Sequence, residues 1–349
     1  MRITHLTCER HDLRLLNPYT IAYETLDRAT NFVLCLHTDD GHRGYGCAAP
    51  DPVVTGETGD DVARVLDEII RPALIGAEVF TYARILEGLR VELNSSALAM
   101  VDAALYDLLA HRMGVPLYRL LGGYRDEIAT SITISIVSLE ETLRQTRRYV
   151  KEGFRILKIK GGLDYREDVE RLRAVRRDFP ELTLRFDGNQ GYSLEQALNF
   201  VSHVQLLDIE ILEQPTTVDD ESLMGTLSRD TALPVMADES LKTLADAFRL
   251  TQHGFTDMIN IKLQKVGGIW PSLYINSVAR SAGNEVMVGC LDECSLGIAT
   301  GLHFALSRPN IQYADLDGHL DFATDPFAGL FTLTQGILRP NGKPGLGVG

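Results

Sequence analysis

Aromatic side chains are sparse in this chain, 7% of 349 residues with a single tryptophan. Stacking platforms for single-stranded nucleic acid need such rings beside a basic groove. Positive charge is also short: 34 Lys and Arg face 48 Asp and Glu, a formal net charge of −14. The basic residues are interspersed with acids and leave no stripe to neutralise phosphates, which argues against nucleic acid and anionic membrane as partners. No apolar run approaches the roughly 20 residues of a transmembrane helix, and the opening MRITHLTCERHDLRL has no apolar signal core. A cytoplasmic protein is expected. Five cysteines, Cys8, Cys35, Cys47, Cys290 and Cys294, are odd in number and scattered, unlike a disulfide framework or a Cys-rich zinc site. Reduced thiols packed as small apolar groups are expected. Walker A, H-E-x-x-H and G-x-S-x-G motifs are absent, and Gly41, Gly44 and Gly46 lack dinucleotide-binding spacing. The nine histidines are dispersed and read as surface or satisfied core, His303 in an apolar helix.

What is present is a globular composition, 45% hydrophobic and 23% charged, at a length that suits two domains or one large barrel with additions. The first fifty residues read as β-rich: strands near Ile3–Arg10 and Phe32–Thr38, a turn at Asp39-Asp40-Gly41 and a return through Tyr45–Ala49. A long polar and aromatic loop is expected over residues 15–30. From Asp60 to Leu121 the apolar spacing becomes helical, as in SALAMVDAALYDLLAHRM, which Gly114 and Pro116 end. Residues 1–122 thus form an α+β cap.

After Gly122-Gly123, short apolar strands alternate with charged helical segments. Candidate strands are Ala129–Ile136, Ile156–Lys160, Thr183–Asp187, Ile209–Glu213, Val235–Asp238, Met258–Lys262, Val286–Gly289 and Ile311–Ala314. Eight such units over residues 123–319 fit an α/β fold, a closed (β/α)8 TIM-type barrel, better than an open sheet. Residues from about 320 to 349, with the turn-rich NGKPGLGVG, are expected to return to the cap.

In such a barrel, chemistry sits at the C-terminal ends of the strands. Here the second strand ends in Lys158-Ile159-Lys160, and the next four end in Asp187, Glu213, Asp238 and Lys262, spaced 24 to 27 residues apart. A lone acid such as Asp187, before Gly188-Asn189, reads equally well as a solvated loop carboxylate. Three in register make an oxygen-only cluster suited to a hard divalent cation, with Mg²⁺ the natural candidate. Lys158 and Lys160 share one strand face, and Lys262 shares its face with Asn260. Lysines on an inner face either snorkel to the mouth or are paired. The functional reading is that close charges and the metal lower an ammonium pKa until the neutral lysine serves as a base. Strands two and six lie across the barrel, so Lys160 and Lys262 would flank a substrate α-carbon. One lysine removes the α-proton, the metal stabilises the enediolate and the other returns a proton on the opposite face. The outcome is epimerisation or racemisation.

The set KIK at 158–160, FDGNQG at 186–191, EQP at 213–215, ADES at 237–240 and NIKLQKVGG at 260–268 resembles the muconate-lactonising subgroup of the enolase superfamily. The resemblance spans essentially the whole chain. It implies one Mg²⁺ per subunit at Asp187, Glu213 and Asp238, proton transfer by Lys160 and Lys262, and Lys158 near the substrate carboxylate. Lysine bases with Mg²⁺ are the general chemistry of that superfamily. On the eighth strand, Asp315-Leu316-Asp317 looks like the Asp-x-Asp element of dipeptide epimerases, where the pair holds the free α-ammonium of a dipeptide. Thr133, on the first barrel strand, is expected among the substrate-binding residues.

One departure bears on the substrate. Where the resemblance to Ala-Glu epimerases calls for an arginine to meet the glutamate side chain, this chain has Glu24, and Leu291-Asp292-Glu293 carries an acid where an apolar residue is expected. With Asp51 from the cap loop, these acids argue for a cationic, or at least non-acidic, second residue. Another subgroup enzyme, an N-acylamino-acid racemase or a cycloisomerase, is the nearest alternative. A non-catalytic binding barrel is disfavoured because every metal acid and both lysines are intact, and a homo-oligomer stays open as the assembly.

Overall fold

The computed structural model describes residues 1–20 and 25–349. Strands β1 (Ile3–Thr20), β2 (Thr25–Thr38) and β3 (Arg43–Ala48) form an antiparallel sheet in that order. Alternation buries Phe32, Leu34 and Leu36 on one face of β2. The helix Ser95–Met113 packs against β3, and Gly114 ends it in the left-handed conformation at φ 68°. Gly44 and Gly46 permit that packing, since a Cβ on Gly46 would lie 1.9 Å from the Met100 carbonyl oxygen.

Two expectations need correction. The stretch 15–30 is largely strand rather than loop: pairing continues through Leu13↔Ala29 and Arg14↔Arg28 and, after a register shift, Tyr19↔Leu26 and Thr20↔Thr25. Backbone pairing sustains this arm where side-chain alternation is weak. Leu15 bridges Phe322 and the Arg14 carbonyl accepts from Ala323 N at 3.0 Å, so the arm is tied to the barrel mouth. The first barrel strand is also shorter than Ala129–Ile136. Strand β4 (Ile128–Ala129) belongs to another sheet, and β5 (Ile132–Ile134) begins the barrel. Between them the chain turns so that Thr130 bridges Ala314 and Ser131 N donates to Ala314 O at 3.1 Å, which closes the ring.

The barrel runs through β6 (Ile156–Lys160), β7 (Thr183–Asp187), β8 (Ile209–Glu213), β9 (Val235–Ala237), β10 (Met258–Lys262), β11 (Glu285–Gly289) and β12 (Ile311–Asp315). Together with β5 they form an eight-stranded parallel sheet in sequence order. Leu157 and Ile159 point outward into the helical layer, fully buried. Inside the barrel, Ile211, Met236, Met258 and Met287 pack with Tyr313 as an apolar plug beneath the strand ends. Strand β13 (Phe331–Thr334) pairs with β14 (Ile337–Pro340), which pairs with β4, and beyond them Leu346 N donates to Asp107 Oδ1 on the cap helix at 2.6 Å. Cys47 and Cys294 are buried free thiols with sulfurs 3.7 Å apart. Among the described residues, no helix is long and apolar enough to cross a membrane.

Candidate active site

Register sets the height of each polar group. Lys160 stands beside Asp187 and Asp187 beside Glu213, while across the ring Lys262 stands beside Gly289 and Gly289 beside Asp315. Asp187, Glu213 and Asp238 are buried and bring carboxylate oxygens within 4.8 Å of one another. Neighbours fix each carboxylate. Asn189 N donates to Asp187 Oδ1 at 2.8 Å, Asn260 Nδ2 donates to Glu213 Oε1 at 2.7 Å, and Lys262 Nζ donates to Asp238 Oδ2 at 2.7 Å. Gln214, held at φ 31°, accepts from the backbone of Asp238 at 2.9 Å and orients that strand end. The donor set is three buried hard oxygens without a sulfur or imidazole. These residues fit a hard divalent cation.

Lys158 is 2% exposed and its ammonium lies 2.9 Å from Asp187, 2.7 Å from Glu213 and 3.0 Å from Asp315. Three converging carboxylates hold this buried ammonium, which the resemblance places near the substrate carboxylate, at the floor of the site. Burial opposes its charge, but Asp187, Asp315 and Glu213 keep its pKa well above the ordinary lysine value. Burial also opposes the charge on Lys262, and Asp238 beside it raises the pKa nonetheless. Burial raises the carboxyl of Glu213, whereas Asp238 is held low by Lys262 and Lys265 despite its own burial.

A cavity of about 610 Å³ opens above the strand ends. Lys160, Lys262, Lys158 and Asp238 line its floor together with Thr133, Asp315 and Asp317. Asp317 Oδ2 accepts from Thr133 N at 2.7 Å and Asp315 Oδ1 from Ser131 Oγ at 2.6 Å, so the two acids are held by β5 and the turn that leads into it. Asp51, Leu291 and Asp292 line the same cavity. Asp51 Oδ1 caps the turn at Val53 and Val54. Asn31, fully buried on β2, holds the Asp292 loop by donating to the Asp292 carbonyl at 2.9 Å and accepting from Cys294 N at 2.7 Å. Glu24 lies outside the described residues.

Among the polar residues of this site that the sequence leaves unmarked are Lys265 and Asp321. Lys265 is buried and donates to Asp238; its signal is a further lysine three positions after Lys262. Asp321 lines the cavity four residues after Asp317. Part of its surface meets solvent, yet the protein around it pushes its carboxyl up to about 6, with Asp292 adding like charge and Lys160 and Arg148 opposing. It carries no sequence signal beyond its charge.

The enolase C-terminal domain-like family pattern matches residues 141–349, and the mandelate racemase / muconate lactonizing enzyme N-terminal domain matches residues 4–122. The chain is 40% identical to the L-Lys-D/L-Arg epimerase of Desulforapulum autotrophicum, over all of this chain and 99% of that protein. The L-Ala-D/L-Glu epimerase of Bacillus subtilis, solved in a substrate-liganded complex, superimposes with a TM-score of 0.97 at 38% identity, covering 99% of this chain and 98% of that one. The dipeptide epimerase of Methylococcus capsulatus, solved with Mg and L-Arg-D-Lys, superimposes with a TM-score of 0.96 at 37% identity, covering 99% of each chain. The chain therefore belongs to the mandelate racemase / muconate lactonizing enzyme family of the enolase superfamily.

Proposed function

We propose that this protein is a Mg²⁺-dependent dipeptide epimerase in which Lys160 and Lys262 exchange the α-proton of the second residue. The observation that carries the reading is that these lysines line one cavity from β6 and β10, half the ring apart, with Asp238 of the acid cluster on the same floor. The similarity to epimerases of Desulforapulum autotrophicum and Bacillus subtilis supports it.

Asp187, Glu213 and Asp238 would hold Mg²⁺. Bound there, it would supply Lewis-acid stabilisation of the charge that develops on the substrate carboxylate as its α-proton leaves, and would compete with Lys262 for Asp238. The chain's own residues move the proton. The α-proton passes to Nζ of one lysine while the other, protonated, delivers its proton to the opposite face, so configuration inverts and the two lysines end with exchanged protonation states. Asp315 and Asp317 bind the free ammonium of the first residue through charge-assisted hydrogen bonds, which an N-acylated substrate cannot make.

The second residue is cationic in this reading. Asp51, Asp292 and Asp321 line the cavity, and Glu24 belongs to the same expectation from sequence. A glutamate side chain would meet like charge there, whereas Lys or Arg gains charge-assisted hydrogen bonds of roughly 1.5–3 kcal/mol each. The test is a library of L,L-dipeptides in D₂O, with α-deuterium read by mass, and kcat/KM for L-Ala-L-Lys against L-Ala-L-Glu in wild type, Glu24→Gln and Asp292→Asn. Deuterium in free-amine but not N-acetylated dipeptides, with a Lys preference that weakens in either variant, supports the assignment. Equal turnover of N-acetylated substrates sinks the dipeptide reading, and a Glu preference sinks the cationic one.

A further inference from the structure

The helix Tyr165–Asp178 carries two charged residues, Asp168 and Arg171, on its buried face, each 3% exposed. Charged side chains are seldom buried so deeply without a task. Arg171 Nη2 donates to Asp168 Oδ1 at 2.5 Å and to the Lys160 carbonyl at 2.6 Å, while Nη1 reaches the Ser135 carbonyl at 3.5 Å. Asp168 Oδ2 accepts from Gly162 N at 3.0 Å and from the hydroxyl of Tyr192, which is also buried. The three side chains thus grip the backbone on both sides of Gly161, at the point where β6 ends in Lys160. The other side of the same loop is tied to an acid of the cluster, because Gly161 N donates to the Asp187 carbonyl at 2.9 Å.

The loops here meet backbone to backbone. A Cβ on Gly162 would lie 2.2 Å from the Gly188 carbonyl oxygen, one on Gly191 equally close to the Gly162 carbonyl oxygen, and one on Gly161 2.5 Å from the Asp168 carboxylate. The end of β6 therefore has little room to shift against the Asp187 loop.

We infer that Asp168, Arg171 and Tyr192 are positioning residues for Lys160: they fix the height and direction of that lysine relative to the acid cluster, and they act on one face of the substrate α-carbon only. The inference rests on the two-lysine reading above. It makes the network asymmetric in function, so that loosening it slows proton exchange on the Lys160 face and spares the Lys262 face. Misplacement of a reacting group by about an ångström is worth up to about a hundredfold in rate, and a shortened grip is expected to cost about tenfold.

The experiment measures α-proton exchange in D₂O separately from the L,L and L,D epimers of one turned-over dipeptide, in the Mg²⁺-loaded enzyme, for wild type, Lys160→Ala, Arg171→Lys and Tyr192→Phe. Lys160→Ala identifies which epimer presents its proton to that lysine. The ratio of the two exchange rates cancels any loss of folded enzyme, so it stays readable in a poorly folding variant. The expected result is a ratio shifted about tenfold against the Lys160 face in Arg171→Lys, with a smaller shift of the same sign in Tyr192→Phe. If Lys160→Ala abolishes neither epimer's exchange selectively, the two-lysine reading fails. If it does act selectively while Arg171→Lys and Tyr192→Phe leave the ratio at its wild-type value, or shift it toward the Lys160 face, the positioning role is overturned.

Discussion

Asp321 is a carboxylate whose charge changes within an accessible pH range. The protein packed around part of it and the like charge of Asp292 place its carboxyl at about 6, so it is ionised above that pH and neutral below it. Its attraction for a cationic side chain is therefore present at pH 7.5 and lost as pH falls through 6. KM for L-Ala-L-Lys should rise roughly two- to fivefold between pH 7.5 and 5 in wild type, beyond any change shared with Asp321→Asn, as befits a partly solvated charge pair. A KM profile in Asp321→Asn that superimposes on wild type would show that this acid does not read the side chain. The residue was invisible in sequence because an acid in a polar turn has many ordinary reasons to be there. Asp187, Glu213 and Asp238 stand out for the opposite reason, since each closes one of three successive barrel strands, about one βα unit apart.

At the scale of elements, the cap sheet depends on two glycines that let β3 lie against the helix Ser95–Met113. In Gly46→Ala the new methyl would collide with the Met100 backbone, not with a side chain that can swing away. The substitution should destabilise the protein by about 2 kcal/mol or more, read as a lower denaturation midpoint. An unchanged midpoint would mean that the helix and sheet separate easily. The barrel strands were legible because their patterns are strong: Ile156–Lys160, Thr183–Asp187, Ile209–Glu213 and Met258–Lys262 run over the residues read from sequence. What stayed illegible is pairing that leaves no side-chain pattern. The arm beyond Arg14 is held by cross-strand backbone bonds, and Ile128–Ala129 looks like the start of a barrel strand until its partners, Ile337 and Leu338, are known. Sequence periodicity reports burial on a face, and neither segment announces which sheet it joins.

Across the whole molecule, the site is assembled from parts distant in sequence. The acids come from β7, β8 and the end of β9, and the Asp292 loop is held by Asn31 of the cap. A cation that needs all three acids binds the folded chain alone, so mM Mg²⁺ should raise the melting temperature of wild type. Asp187→Asn or Glu213→Gln should remove most of that rise. A rise of the same size in both variants would place the stabilising cation elsewhere.

The central claim is that Lys160 and Lys262 work on opposite faces of one α-carbon. It is tested most directly by incubating Lys160→Ala and Lys262→Ala with the L,L and L,D epimers of a turned-over dipeptide in D₂O and following deuterium at the α-carbon. Neither variant should epimerise, because inversion needs both lysines, while each should still exchange one epimer, and the two variants should differ in which. Exchange of the same epimer by both variants, or full epimerisation by either, would contradict the two-face arrangement.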